Sequence, residues 1–227
     1  MDLRVKTGLR APDRKTADGV FAYARGLRDG SLSVADFILT ASLEGRIRIV
    51  NNGTVTTPIT FGAGTIATTA PDFDLIVPSG VLAIPVSIQL YMEAFGSNAQ
   101  FECMAAAGGG GTAGASNPLT PVSTRVDDSI GNGGITAVGP NTGTTYMTKN
   151  VNEFWRDGQQ FAITKTTASA TASVSDPNKF TWKYSDDMAP PILYDTAGTT
   201  RLNIFAKSQA GTGFMIVKYA FLPGTDA

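Results

Sequence analysis

Three pairs of closely spaced aspartates are the side chains of this sequence that could best do chemistry. They are Asp72 with Asp74, Asp127 with Asp128, and Asp186 with Asp187. Two carboxylates that face one cleft, about 5 to 10 Å apart, could serve as acid and base on a glycoside. Close carboxylates could also bind calcium, but none of the pairs has the spacing of the calcium loop of an EF-hand. Solvated aspartates in turns are the simpler interpretation, so we predict no catalytic residue and no metal site.

Other reactive groups are scarce. The chain has no histidine and one cysteine, Cys103. The lack of histidine removes the usual general base near neutral pH, the usual serine and cysteine triads and the commonest metal ligand. Cys103 cannot form an internal disulfide and lies in an alternating apolar stretch, so we expect a buried thiol. Most hydrolase mechanisms are thereby excluded.

Two tryptophans are candidates for contact with a partner. Trp155 is followed by Arg156, and aromatic residues and arginine dominate the buried anchors of protein interfaces and also form platforms for sugars. A core tryptophan at the start of a strand is the alternative. Trp182 alternates with Phe180 and Tyr184, which places the three on one face of a strand, either in the core or under another subunit.

The charge of the chain is unevenly distributed. Residues 1–50 carry nine Lys and Arg against six Asp and Glu, a net charge of +3, whereas the rest carries nine against thirteen, a net charge of −4. The sequence therefore predicts a basic N-terminal arm, residues 1–42, and a body, residues 43–227. The partner-binding cations expected in the arm are Arg4, Lys6, Arg10, Arg14, Lys15, Arg25 and Arg28. The overall charge of −1 argues against bulk nucleic-acid binding.

The composition of the body indicates an all-β, antiparallel β-sandwich. Thr, Val, Ile, Gly and aromatic residues are common, and short apolar runs are separated by turn residues. A hairpin is predicted in which residues 46–50 pair with 54–60 across Asn51-Asn52-Gly53. The clearest strand is 81–95, with Ile84 to Ala94 on one core-facing parity and Pro85 marking an edge or a bulge. Further strands are predicted at 159–166, after a connection of bulky residues at 150–158, and at 192–194. Alternation also places on shared strand faces the sets Phe73, Leu75 and Val77; Phe101 and Cys103; Leu202, Ile204 and Ala206; and Met215, Val217, Tyr219 and Phe221. The stretch 108–118 is predicted to be a flexible glycine-rich loop, because nothing after it completes a phosphate cradle.

The segment at the junction of arm and body is ambiguous. Ser33 and Asp36 have capping-box spacing, and Phe37, Ile38 and Ala41 could line a helical face that stops before Gly45. The same apolar residues could form a strand added to a sheet. Residues 33–43 are therefore either helix or strand. The N-terminus lacks the apolar stretch of a signal peptide, and no window is long enough to cross a membrane, so a chain that is made and kept soluble is expected.

Three phrases of the body resemble virion structural proteins of tailed bacteriophages. They are residues 81–88, 152–158 and 210–217, set in a Gly-, Thr- and Ala-rich chain. Among these proteins, its composition is most similar to that of small proteins that decorate or cement capsids or occupy minor structural positions. That resemblance implies a jelly roll, a trimeric or higher assembly, no cofactor, and an arm that reaches between shell subunits. It also implies a virion location for a protein that is made in the host cytoplasm.

The leading hypothesis is thus a non-enzymatic virion protein that docks on the major capsid protein or another virion protein through its arm and stabilises or decorates the shell. The alternative is a tail-associated receptor- or glycan-binding module that uses Trp155 or Trp182 as a platform. A third hypothesis, a carbohydrate-active enzyme, needs two carboxylates that converge on one cleft.

Overall fold

In the computed structural model, the chain forms two antiparallel β-sheets whose inward faces share one hydrophobic core. The structure describes residues 37–61, 66–94, 100–114, 117–126, 131–140, 143–160, 179–185, 189–207 and 211–222. The elements within these ranges are α1 Phe37–Leu43, β1 Ile47–Asn52, β2 Ile59–Phe61, β3 Phe73–Val77, β4 Leu82–Ala94, β5 Gln100–Gly109, β6 Pro118–Leu119, β7 Val122–Ser123, β8 Thr136–Val138, β9 Lys149–Gln160, β10 Lys179–Lys183, β11 Thr200–Lys207 and β12 Gly211–Leu222. The predicted all-β antiparallel sandwich is confirmed.

The strand order places chain-distant strands side by side. The first sheet runs β10-β4-β12-β1-β7, with β2 also paired to β12, and the second sheet runs β6-β8-β3-β11-β5-β9. Every pair is antiparallel. The core therefore depends mostly on contacts between residues far apart in the sequence.

The two-residue alternation of apolar side chains selects the core face of the best-predicted strands. On β12 and β11 the inward side chains are Met215, Val217, Tyr219, Phe221, Leu202, Ile204 and Ala206, all buried. Phe73, Leu75 and Val77 on β3, and Phe101 and Cys103 on β5, also lie inward as predicted. Alternation works here because successive side chains of an unbroken strand point to opposite faces.

Strand β4 departs from its predicted single parity. Ile88, Leu90 and Met92 face the core, but Ala83 rather than Ile84 faces it at the other end of the strand. The pairing with β12 shifts between Pro85 and Ser87. This is the bulge that Pro85 signalled, and one extra residue reverses which side chains point inward.

The predicted hairpin of residues 46–60 is wrong. β1 and β2 do not pair with each other; both pair with β12, with Asn52 opposite Met215 and Ile59 opposite Gly213. The chain leaves β1 and makes a small loop closed by two Thr54–Thr57 backbone hydrogen bonds. It then runs on in the same direction as β2, which pairs with the next residues of β12. Gly53 turns the chain out of line with a φ of 76°, but it does not reverse its direction.

Two connections were predicted where the structure has strand. β5 continues through Gly108 and Gly109, which pair with β11, so the glycine-rich loop begins two residues later than expected. β9 begins at Lys149 and includes the bulky stretch that was expected to precede a strand at 159–166. The residues of that predicted strand beyond 160 lie outside the described part of the chain. Conversely, the strand predicted at 192–194 is one bridge, Leu193 to Ala83.

Helix α1 settles the form of residues 37–43, while 33–36 lie outside the described ranges. It ends in a Schellman motif: the Arg46 N–H donates to the Ala41 carbonyl at 2.8 Å and the Gly45 N–H to the Ser42 carbonyl at 3.0 Å, with Gly45 at φ 69°. Ala41 is buried against Ile47. The predicted boundary after residue 42 thus falls inside a helix that packs on the body.

Candidate functional site

The predicted arm cations lie outside the described residues. These are Arg4, Lys6, Arg10, Arg14, Lys15, Arg25 and Arg28. The aspartate pairs at 127–128 and 186–187 also lie outside them. Their roles stay predictions.

Trp155 and Arg156 point to opposite sides of β9. Trp155 is 8% exposed and belongs to the core between the sheets, so its assignment as a contact residue is corrected to the core alternative. Arg156 lies outside, with its side chain 55% exposed and salt bridges to Glu102 at 3.0 Å and Glu153 at 3.1 Å. Of the predicted contact pair, only Arg156 can reach a partner, and its guanidinium is already paired within the chain.

Trp182 is also a core residue. It is 1% exposed, shares the inward face of β10 with Phe180, and meets Phe154 edge to face at a centroid distance of 4.9 Å. Neither tryptophan is available to stack on a sugar, so the predicted tryptophan platform of the glycan-binding alternative is wrong. For the face shared by Phe180 and Trp182, the core alternative is the correct one.

Asp72 and Asp74 form part of a buried polar cluster and do not face a cleft. Asp74 is fully buried and accepts hydrogen bonds from Arg201 through two of its nitrogens and from the Asn203 amide at 2.9 Å. Asp72 accepts the Ala206 N–H at 2.7 Å. Both carboxylates thus hold strands together, and sequence spacing had shown neither the cation nor the amide that bind Asp74.

Among the described residues, no group of three or more His, Cys, Asp or Glu side chains is arranged to hold a metal ion. Across the same ranges, no helix reaches the length and apolarity needed to span a membrane.

A polar cleft of about 450 Å³ lies at one end of the sandwich. One wall is the end of β5 and the start of β9, where Ala107, Gly109 and Asn152 line it, and the opposite wall is the segment 191–196. Thr200, the first residue of β11, also lines it. The volume falls in the range of about 300–1,000 Å³ that is usual for small-molecule sites.

A bulge shapes the first wall of this cleft. Asn152 pairs with Ala107 and Lys149 with Gly109, so Asn150 and Val151 together face Gly108. Asn150 adopts a φ of 51°, a left-handed conformation that asparagine tolerates better than most residues. Bulges recur next to functional sites because they redirect side chains.

The second wall is held in place by backbone hydrogen bonds. Leu193 and Ala83 exchange two bonds of 2.9 Å, and the Gly80 N–H donates to the Asp195 carbonyl at 2.8 Å. Lys149 crosses from the first wall and binds the Asp195 carboxylate at 2.6 Å. The sequence alone did not reveal this cleft, because it is assembled from segments that are distant along the chain, residues 107–109, 149–152 and 191–200, and no local pattern joins them.

Two buried weak acids predict how stability depends on pH. Burial raises the pKa of the Cys103 thiol above its ordinary 9.0 and that of the Tyr219 phenol above its ordinary 10.0. Both stay protonated in the folded chain while the unfolded chain ionises. Stability is therefore fully present below about pH 9 and falls as the pH rises, by about 1.4 kcal/mol per pH unit for each group above its ordinary pKa.

The check is urea unfolding between about pH 8 and about pH 11. We expect Cys103→Ala combined with Tyr219→Phe to lessen the alkaline loss of stability relative to the unmodified chain. An alkaline slope that the double variant does not reduce would show that these two groups are not its cause.

Comparison with known proteins adds no relative: no protein-family model, curated protein or solved structure matches this chain.

Proposed function

We propose that this chain is a virion structural protein, with a jelly-roll body and an N-terminal arm that docks on a capsid protein. The observation that carries the proposal is the pairing order of eight strands. β1 pairs with β12, β3 with β11, β4 with β10, and β5 with β9. In chain order these eight strands are β1, β3, β4, β5, β9, β10, β11 and β12. The first strand therefore pairs with the eighth, the second with the seventh, the third with the sixth and the fourth with the fifth, as in a long hairpin rolled into two sheets. This order is typical of jelly rolls, which recur in viral capsid and lectin domains.

The root of the arm is well placed to transmit such docking. Helix α1, which contains the last residues of the predicted arm, is fixed to the outer face of the first sheet, with Ala41 buried and Ile38 packed against the same small cluster as Val86 and Ala220. The Schellman motif ends the helix and leads the chain into β1. The last residues of the predicted arm are therefore fixed to the body by packing.

Apolar surface around α1 supports assembly into an oligomer, for which we propose a trimer. Leu39 is 56% exposed and Leu43 67% exposed on the helix, and Ile192 is 65% exposed nearby, lining an apolar groove with Ile38 and Ile84. Exposed apolar side chains that cluster in one region are typical of protein interfaces. Repeated weak contacts over a symmetric shell would add up through multivalency.

The docking proposal is tested in the full-length chain by replacing the seven arm cations, Arg4, Lys6, Arg10, Arg14, Lys15, Arg25 and Arg28, with Gln. We expect the variant to fold and to keep its oligomeric mass but to lose attachment to particles assembled without this protein. Cosedimentation measures attachment, and circular dichroism and light scattering measure fold and mass. Attachment of the unmodified chain should also weaken with salt, since exposed charges are screened over about 10 Å at 0.1 M.

The matched control replaces two exposed cations of the body, Lys179→Gln with Lys183→Gln, and should attach normally. Deleting residues 1–30 should reproduce the loss seen with the seven substitutions. Normal loading of the truncated chain onto particles would refute arm docking.

The glycan-binding alternative loses its tryptophan platforms, and the carboxylates Asp72 and Asp74 are engaged in the structure of the second sheet. The polar cleft is the observation that keeps carbohydrate recognition open, at residues other than those predicted.

A further inference from the structure

We propose that the polar cleft at the end of the sandwich, lined by β5, β9 and the segment 191–196, binds a neutral carbohydrate. This inference does not rest on the arm or on capsid docking. It is argued from four properties of the cleft: its size, its cancelled charge, an apolar rim beside a polar wall, and fixed walls.

The first property is size. The cleft has a volume of about 450 Å³, which lies in the range that is usual for small-molecule sites.

The second property is electrical neutrality. Lys149 and Asp195 line the cleft and pair with each other at 2.6 Å. The hydrogen bond from Lys149, and then the Ala197 N–H, hold the pKa of the Asp195 carboxyl below its ordinary value. The Asp195 carboxylate therefore offsets the charge of Lys149, so the cleft gives a phosphate or carboxylate ligand no surplus cation to bind.

The third property is the arrangement of polar and apolar groups. Asn150 and Asn152 are exposed on one wall, and each amide offers both donors and an acceptor. On the facing wall Tyr194 is 37% exposed and Ile192 65% exposed. A sugar ring presents hydroxyls at its edge and C–H groups on its face, so it can bind the amides while its apolar face covers the tyrosine ring.

The fourth property is preorganisation. The segment 191–196 is bonded to β4 through Leu193 and to Gly80 through Asp195, and the Gly110 N–H bonds to the Thr199 carbonyl at 3.2 Å beside Thr200. Walls fixed before binding lose little conformational entropy when the ligand arrives. Weak ligands such as single sugars need this advantage.

The test uses the full-length protein and saturation-transfer NMR with D-glucose, D-galactose, D-mannose, N-acetyl-D-glucosamine and L-rhamnose. Inorganic phosphate is the anionic probe, and its binding is followed by the broadening of its ³¹P NMR line. We expect saturable binding of at least one sugar and none of phosphate. Tyr194→Ala and Asn152→Ala should each raise the Kd about tenfold.

The matched control is Asn51→Ala, an exposed asparagine on β1 that does not line the cleft, and it should bind like the unmodified chain. All variants are first shown to be folded by circular dichroism. The proposal is overturned if no sugar of the panel binds, if phosphate binds in place of sugars, or if Tyr194→Ala and Asn152→Ala bind as tightly as Asn51→Ala.

Discussion

Replacing Arg201 with methionine should lower the free energy of unfolding by about 3–5 kcal/mol. Arg201 is 1% exposed and binds the fully buried Asp74, and it also donates to the Thr145 carbonyl at 3.4 Å. Methionine keeps most of the volume but removes the guanidinium that offsets the buried carboxylate. The loss of a charge partner in the interior is expensive, because the remaining charge has been taken out of water.

The matched control for this variant is Arg156→Met on the outside of the same sheet. Arg156 also bridges two carboxylates, but its side chain is 55% exposed, so its loss should cost no more than about 1 kcal/mol. Both variants are measured by urea unfolding with tryptophan fluorescence, since Trp155 and Trp182 report on the core between the sheets.

A double variant separates the charge from the packing. Asp74→Leu combined with Arg201→Met removes both charges, and we expect it to be more stable than Arg201→Met alone. If Arg201→Met proves as mild as Arg156→Met, the buried pair is not what holds β3 to β11.

The strands that sequence alone predicted well are those in which alternation is unbroken. Met215, Val217 and Tyr219 could be assigned to the core because a period of two is a local property of the chain. The same rule failed at Ile84, because the bulge at Pro85 depends on where β12 places its partners. The register between two distant strands depends on the whole fold, so it cannot be predicted from the residues of a short sequence segment.

The candidate sites were harder to predict than the strands. Asp74 looked like half of an exposed pair, and its partner Arg201 lies 127 residues away. Trp155 looked like a surface anchor, but the bulge opposite Ala105 and Ala106 leaves its ring among the core side chains. The cleft combines Asn152, Tyr194 and Thr200; each is ordinary in its own segment, and only the folded arrangement brings them together.

The local signals that did transfer were stereochemical. Gly45 was expected to stop a helix and does so, because the left-handed φ of 69° suits a residue without a Cβ atom. Gly53 likewise marks a turn, yet the turn type could not say whether the chain would reverse. A glycine reports the conformation of one residue, and the direction of the next strand is decided by its partner.

Substituting Gly213 with alanine should destabilise the body by about 3 kcal/mol or more. Gly213 lies on β12 between Ile59 of β2 and Met92 of β4, beside the second bulge of the β4–β12 pair. A Cβ atom there would overlap the Tyr91 carbonyl oxygen and lie 3.0 Å from Cε2 of Phe61. The obstacle is backbone and cannot rotate away, so relief requires β4 and β12 to separate where they pair.

Gly131→Ala is the control for this prediction. No described atom lies within 4 Å of the position that its Cβ would occupy, so the change should leave stability within about 1 kcal/mol of the unmodified chain. The measurement is again the free energy of unfolding in urea. If Gly213→Ala were as stable as Gly131→Ala, β4 and β12 could not lie as close as the register requires. Since β12 also carries β1 and β2, that outcome would undo the first sheet and with it the nested strand order on which the jelly-roll proposal depends.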